Sequence, residues 1–297
     1  MNSDFRNYLE SILGKPISSE TPLKPGMDAE VFQVSADGQD YVVKIGDNVL
    51  NDIPALEYVE THDLRLPVPR IVGRSSWNNI PFIIMTKCPG VMLAEISSDY
   101  YDQILPNLIR AQHELHQIHR NQAGNVQNPS ESWTDYLSHQ FSGDHPWFPW
   151  SDIVIRPGID PLVIESARSQ ILYELQHQSL PEDSFSFLHT DFNQTNLLVD
   201  PNTLDLTGII DWSEAIFRDP LYDLARIHLL IIHFELGPTG EQAFFDQLNL
   251  SPQELQRENL YLHIIILTYI SWYSEEDSDF CRSRLALHQE LLRQWLV

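Results

Sequence analysis

The chain is short of cysteine, of basic residues and of glycine-rich signatures, and each shortage removes a class of protein. Its two cysteines, Cys88 and Cys281, form no C-x-x-C pair and no dense framework. A disulfide-stapled scaffold is therefore excluded, and a reducing compartment is expected. Only 18 lysines and arginines stand against 42 acidic residues, a net charge of −24. A surface this acidic repels phosphate backbones and anionic headgroups, which argues against bulk nucleic-acid binding and against membrane attachment. It is compatible with steering a cationic small molecule. Neither G-x-G-x-x-G nor G-x-x-x-x-G-K-[ST] occurs, so both common glycine-based phosphate cradles are missing. The first residues, MNSDFRNYLE, have no basic n-region and no apolar h-region, so no secretory signal is expected. The longest apolar stretch, near His263 to Ile270, is far shorter than the roughly 20 residues that span a bilayer. A soluble, cytoplasmic protein is the expectation.

What is present describes a globular chain: 297 residues, 42% hydrophobic and 20% charged, enough for one two-lobed domain or two small ones. A helix is expected from Asp4 to Leu13, ended by Gly14 and Pro16. Glu30–Val34 and Tyr41–Ile45 read as strands joined by an Asp37-Gly38 turn into a hairpin. A helical pattern runs from Asn51 to Thr61 and stops at Leu66-Pro-Val-Pro69, because each proline disfavours helix at the residue before it. Strands follow at Arg70–Arg74 and Ile80–Met85. Lys87-Cys88-Pro89-Gly90 is then a connector, β-rich sequence before it and mostly helical sequence after it. This shift sets a boundary between a lobe at 1–87 and a lobe at 88–297. Ile104, Leu108, Ala111, Leu115 and Ile118 recur at helical spacing, residues 121–158 read as irregular with an aromatic insert from Trp133 to Trp150, and further helices are expected at about 161–178, 220–235, 252–273 and 280–296.

The chemistry concentrates in one string, HTDFNQTN, from His189 to Asn196, between the apolar runs Phe185–Leu188 and Leu197–Val199. Fifteen residues past Asn196 an apolar strand ends in Asp211, followed by Trp212. Asp191 is a candidate to orient a hydroxyl and accept its proton. Asn196 and Asp211 offer the hard oxygens that Mg²⁺ prefers, and His189 is a candidate loop-shaping residue. The blander reading is a polar surface loop, since Asp and Asn are common in turns. The order of strand, loop, strand and then Gly-Ile-Ile-Asp raises the chemical reading above it. A metallohydrolase using His189, Asp191 and Asp211 would need more ligands nearby, and His113, His116 and His119 fall on a helix face where packing or solvation is commoner. Lys44 lies in the apolar strand pattern Tyr41–Ile45. It is a candidate point charge for nucleotide phosphates, against the commoner strand-end lysine facing water. Such a lysine needs an acidic partner, and Asp52, Glu57 and Glu60 are all candidates. Gly26, in Pro25-Gly26-Met-Asp28 ahead of the second strand, is the single glycine of a possible phosphate-covering turn. Asp219-Pro220 is an N-cap signature that accounts for Asp219, while Asp223 in that helix is a candidate tie to the catalytic loop. The acidic run Glu275–Asp279 reads as a solvated loop with an N-cap before it reads as an amine site.

Together these residues resemble the aminoglycoside phosphotransferase family of the protein-kinase-like superfamily. The resemblance runs through Tyr41–Lys44, Leu66–Pro69, Met85–Gly90, Glu114–His116, His189–Asn196, Gly208–Trp212 and Asp219–Ala225, and with Thr190 it is similar to fungal members. It implies an α+β, bilobal kinase-like fold: a five-stranded antiparallel sheet with one helix, then a larger helical lobe. It implies ATP and Mg²⁺ as cofactors, Asp191 as the catalytic aspartate, Asn196 and Asp211 as metal ligands, and Lys44 on the phosphates. It further implies that Lys87, Cys88 and Pro89 present backbone groups to adenine, and that the helix acid aligns at Asp52. Thr190 stands where glycine is common, and Asn193 where many relatives have histidine. The expected activity is transfer of the γ-phosphoryl group to a hydroxyl of a small molecule that is aminoglycoside-, choline- or sugar-amine-like. The alternative is a weakly catalytic nucleotide- or ligand-binding pseudokinase.

Overall fold

The computed structural model describes every residue except 24–28, 63, 128, 130 and 131. The expected phosphate-covering glycine, Gly26, lies outside the described residues. The chain forms two compact units: Met1–Ile118, Asn125–Gln127 and Phe187–Ile216 make the first, and His119–Gly124, Asn128–Ser186 and Phe217–Val297 the second.

In chain order the first unit opens with α1 (Ser3–Leu13), β1 (Ile17–Pro22), β2 (Glu30–Ala36), β3 (Gln39–Ile45), α2 (Val49–Thr61), β4 (Ile71–Trp77) and β5 (Ile80–Thr86). The five strands form one antiparallel sheet in the order β1-β2-β3-β5-β4. Local chemistry explains the framework. Asn2 caps α1 by accepting from the Phe5 amide at 2.8 Å, and Gly14 ends it at φ 65°. Asp37 and Gly38, both at positive φ, make the tight turn of the β2–β3 hairpin, and Asn78 and Asn79 do the same between β4 and β5. Phe5 and Leu9 of α1 pack with Val34, Ala36, Val43, Phe82 and Ile84 from the sheet.

Both helices expected before the connector, α1 and α2, are present. Strand β1 has no sequence signature: only its first residue is buried, so an edge strand of Ser, Glu and Thr shows no apolar alternation.

The unit continues through β6 (Val91–Met92) and α3 (Tyr101–Leu115). Next in the chain, the second unit supplies β7 (His119–Arg120), α4 (Trp133–Phe141), α5 (Trp150–Ile153) and α6 (Pro161–His177). The chain re-enters the first unit within β8 (Phe185–Leu188), forms β9 (Leu197–Val199) and β10 (Leu206–Ile209), and leaves it within β11 (Ile216–Arg218). Strands β10, β9 and β6 form a small sheet that frames the candidate catalytic loop.

The second unit ends with α7 (Leu221–His233), α8 (Gly237–Leu248), α9 (Pro252–Tyr273) and α10 (Asp279–Trp295). The stretch expected to be irregular holds α4 and α5, with Trp133 and Trp150 buried and Trp147 77% exposed. Helix α8 was not among the expected helices; it opens on Gly237-Pro238, and Pro238 sits in its first turn, where the missing N–H is harmless. The capping account of Asp219 is incomplete. Its Oδ1 accepts from the Leu221 amide at 3.2 Å, and its Oδ2 pairs with Arg257 at 3.0 Å and accepts from the Tyr261 hydroxyl at 2.9 Å. The run at 275–279 follows the blander reading: Asp277 and Asp279 pair with Arg282, and Ser278 caps α10. Among the described residues no helix is long and apolar enough to cross a membrane.

Candidate active site

Three of the expected site residues, Lys44, Asp52 and Asp211, meet in the first unit through short polar contacts. Lys44 points from β3, a strand hydrogen-bonded on both sides, and is buried. Its Nζ lies 2.8 Å from Asp52 Oδ2 and 2.7 Å from Asp211 Oδ1. Among the three acids left open by the sequence, Asp52 of α2 is the one against the lysine; Glu57 instead pairs with Arg74. The Trp212 amide donates to Asp52 Oδ1 at 2.9 Å, so this carboxylate joins α2 to the Asp211 loop as well. Burial by itself would lower the Lys44 pKa; the charges of Asp52 and Asp211 outweigh it and raise the value. For Asp211, burial pushes upward, and Lys44 together with the Ser213 hydroxyl at 3.0 Å brings its pKa below the ordinary carboxylate value. Asp52, more deeply buried, is raised, with desolvation the largest cause and Lys44 opposing it.

The loop between β8 and β9 closes on itself. Asn196 Nδ2 donates to Asp191 Oδ2 at 2.6 Å and to the Asp191 carbonyl at 3.0 Å. Asn193 Nδ2 donates to Asp191 Oδ1 at 2.8 Å. Three bonds tie this loop to the Asp211 segment: Ile210 N–H to the Asn196 carbonyl at 2.9 Å, His189 Nε2–H to the Ile210 carbonyl at 3.0 Å, and Thr190 Oγ1–H to the Glu214 carbonyl at 2.6 Å. His189 is fully buried, edge-on to the Trp212 ring at 4.7 Å. Thr190 sits at φ 59° and Asp211 at φ 63°. Aspartate tolerates this left-handed region, whereas a β-branched threonine is strained there by about 1–3 kcal/mol. The hydroxyl bond to Glu214 offsets part of that strain.

The donor set suits a hard divalent cation. Asn196 uses its amide nitrogen on Asp191, which leaves Oδ1 without a hydrogen bond among the described residues. The Asp211 side chain is 41% exposed. Amide and carboxylate oxygens are what Mg²⁺ takes, with phosphate oxygens and water completing the shell. Asp52 and Asp211 share Lys44, so a polyanion bound beside these two carboxylates would need such a cation. Among the described residues there is no cluster of three or more His, Cys, Asp or Glu side chains of the kind the metallohydrolase reading required.

The connector after β5 is less open than its sequence suggests. Lys87 N–H reaches the Asp40 carbonyl at 3.3 Å, Cys88 is buried with its thiol pushed up to about 11, and the Pro89 carbonyl accepts from Thr207 Oγ1 at 2.7 Å. Gly90, at φ 101°, is pressed against this corner: a Cβ there would lie 2.5 Å from the Val199 carbonyl and 2.4 Å from Thr207 Oγ1. Gly90→Ala is expected to destabilise the protein by about 3 kcal/mol or more, read as a lower urea midpoint; an unchanged midpoint would show that the corner yields. Asp223, the remaining sequence candidate, is buried in α7 of the second unit. Sequence reasoning did not find the roles of Asn193, Ser213 and Glu214. Only Asn193 left a signal, an Asn-x-Thr spacing that favours a side-chain-closed turn.

An antiparallel five-stranded sheet carrying a buried Lys–Asp pair, then an H-x-D-x-x-x-x-N loop and a downstream Asp among helices, defines the protein-kinase-like class of fold. The chain belongs to the phosphotransferase enzyme family APH, whose model matches residues 19–259. Hygromycin-B 4-O-kinase of Escherichia coli is 24% identical over 226 residues, covering 71% of this chain and 62% of that relative, less than two thirds of its length. The fold is that of solved aminoglycoside phosphotransferases. A thermostable mutant of APH(4)-Ia in ternary complex with AMP-PNP and hygromycin B matches with a TM-score of 0.76 at 20% identity, over 99% of this chain and 98% of that one. The GDP complex of an aminoglycoside 2'-phosphotransferase-IIIa mutant matches with a TM-score of 0.67 at 15% identity, over 97% and 96%.

Proposed function

We propose that the protein is an ATP-dependent small-molecule kinase that transfers the γ-phosphoryl group to an acceptor hydroxyl. The observation that carries this reading is the unbroken chain of contacts from Asp191 through Asn196 and Ile210 to Asp211, Lys44 and Asp52. Asp191 orients the acceptor hydroxyl and takes its proton as the oxygen–phosphorus bond forms and the bond to the ADP leaving oxygen breaks. Lys44, held by Asp52, places a positive charge on the phosphates. Asn196 Oδ1 and Asp211 would hold Mg²⁺, which supplies neutralisation of phosphate charge when bound. Thr190 and His189 keep the two loops in register. The connector at Lys87, Cys88 and Pro89 presents the base-reading backbone, and the division into lobes at 1–87 and 88–297 belongs to the same reading.

The acceptor class that fits is an amine-bearing, aminoglycoside-, choline- or sugar-amine-like alcohol, supported by the net charge of −24. Asp52 makes its 2.8 Å contact with Lys44 despite being one methylene shorter than glutamate, which favours a working site over a pseudokinase. The test is ADP release from Mg·ATP with a panel of amino sugars (hygromycin B first), amino alcohols and neutral sugars, with mass spectrometry of each acceptor. Acceptor-dependent ADP release with a singly phosphorylated product is the expected result. Tight ATP binding with no release on any acceptor would reject the reading.

A further inference from the structure

We propose that Asn193 is a positioning residue for Asp191, an uncharged amide clamp that fixes the rotation of the carboxylate toward the acceptor hydroxyl. The inference rests on the phosphotransfer reading above and adds a residue to it. An aspartate carboxylate turns easily about its terminal torsion, whose profile is broad. Here each oxygen receives an amide N–H from a different residue: Oδ1 from Asn193 Nδ2 at 2.8 Å, Oδ2 from Asn196 Nδ2 at 2.6 Å. Asn193 is itself held. Its Oδ1 accepts from the Thr195 amide at 2.8 Å and the Thr195 hydroxyl at 2.7 Å, and its own amide donates to the Asp191 carbonyl at 2.9 Å. The chain of restraint therefore runs from Thr195 through Asn193 to Asp191, within five consecutive residues.

The chemical type of the donors matters. A cation in place of Asn193 would hold the carboxylate harder, and would also compete for the charge that draws the acceptor's proton. Two neutral amides fix direction and leave that charge in place. Asn196 is needed by the metal through its other atom, so its rotation cannot be adjusted for Asp191 alone; Asn193 supplies the independent second restraint.

The plainer account is that Asn193 only closes a side-chain turn, with Oδ1 accepting from Thr195, and that its bond to Asp191 is incidental. Asn193→Asp separates the two. Aspartate is an equally good turn acceptor, so both Thr195 bonds survive, but a carboxylate now faces Asp191 where a donor stood. In the acceptor assay above, kcat of Asn193→Asp is expected to fall about 100-fold or more, with the KM for ATP within about threefold and the melting temperature little changed. Asn193→Ala should lose about tenfold and Thr195→Val about threefold, in kcat only. In ¹⁵N spectra of the wild type, the Asn193 side-chain amide protons should exchange slowly and shift on Asp191→Ala. Wild-type kcat in Asn193→Asp, a loss that follows KM or melting temperature, or an Asn193 amide signal indifferent to Asp191 would each overturn the clamp while the kinase reading stands. A wild-type protein that phosphorylates nothing fails at the earlier test and overturns both.

Discussion

Asp191→Asn is expected to lower kcat for acceptor phosphorylation by about 10³-fold, with ATP affinity within a few-fold of wild type. Two effects combine. The amide cannot take up the hydroxyl proton, which removes the proton-transfer contribution, typically 10²–10⁴. The substitution also turns one acceptor oxygen into an N–H donor, while both oxygens now receive amide donors from Asn193 and Asn196. Whichever way the new amide turns, a donor faces a donor, so its geometry is disturbed as well as its basicity. Lys44, Asp52 and Asp211 are untouched, which is why nucleotide binding should survive. Steady-state kinetics beside calorimetric ATP titration measures both quantities. A variant within tenfold of wild type in kcat would remove Asp191 from the chemistry.

The second large effect concerns stability in acid and arises in the helical unit. His233 and His288 are hydrogen-bonded Nε2 to Nε2 at 2.8 Å. That contact needs one donor and one acceptor, so the pair cannot hold a full complement of protons. Burial is the main influence on His233, with the His288 and Arg284 charges next, and lowers it to about 2; burial likewise lowers His288 to about 3. His263, buried and stacked on Trp295 at 4.4 Å, is lowered by burial to about 4. In the unfolded chain each titrates near 6.5. Above that pH neither state binds the extra protons, and this contribution to stability is complete. Below it the unfolded chain takes up protons that the folded chain refuses, so stability falls progressively toward the depressed values. Each group contributes up to about 1.4 kcal/mol per pH unit inside that window, so three approach about 4 kcal/mol per unit between pH 6 and pH 4. Over two units that loss is comparable to the whole stability of a typical domain, about 5–15 kcal/mol. Buried Asp52 and Asp219, raised by desolvation, act in the opposite sense. A comparison that isolates one histidine is therefore the useful one. His263→Phe keeps the stacking and should lessen the fall in urea stability between pH 6.5 and 5, by up to about 1 kcal/mol per pH unit. Equal stability of the wild type at pH 7 and pH 5, or an unchanged slope in the variant, would contradict the assignment.

Much of the site was legible in the sequence because phosphoryl transfer constrains residue type and order together. A base-like carboxylate, a neutral oxygen ligand five residues later, a second carboxylate ending a strand and a lysine on an earlier strand form a pattern that turns alone rarely make. What the sequence could not choose was the partner of Lys44. Asp52, Glu57 and Glu60 sit on one helix, and which of them meets the lysine depends on how α2 rotates against the sheet, a tertiary fact with no local signature. Asn193 was read as a departure from relatives, because its value comes from a neighbour two residues away in a loop whose closure is not periodic. Strand β1 and helix α8 were missed for opposite reasons: one is too polar to alternate, the other opens on residues that usually end helices.

The corner at Pro89 is held from outside its own segment. Proline has no N–H and its carbonyl is taken by Thr207, while the Lys87 N–H is taken by the Asp40 carbonyl of β3. A hydroxyl on β10, far along the chain from the connector, thus fastens this turn to the small sheet that carries the candidate catalytic loop, so a change at Thr207 would loosen a segment more than a hundred residues before it.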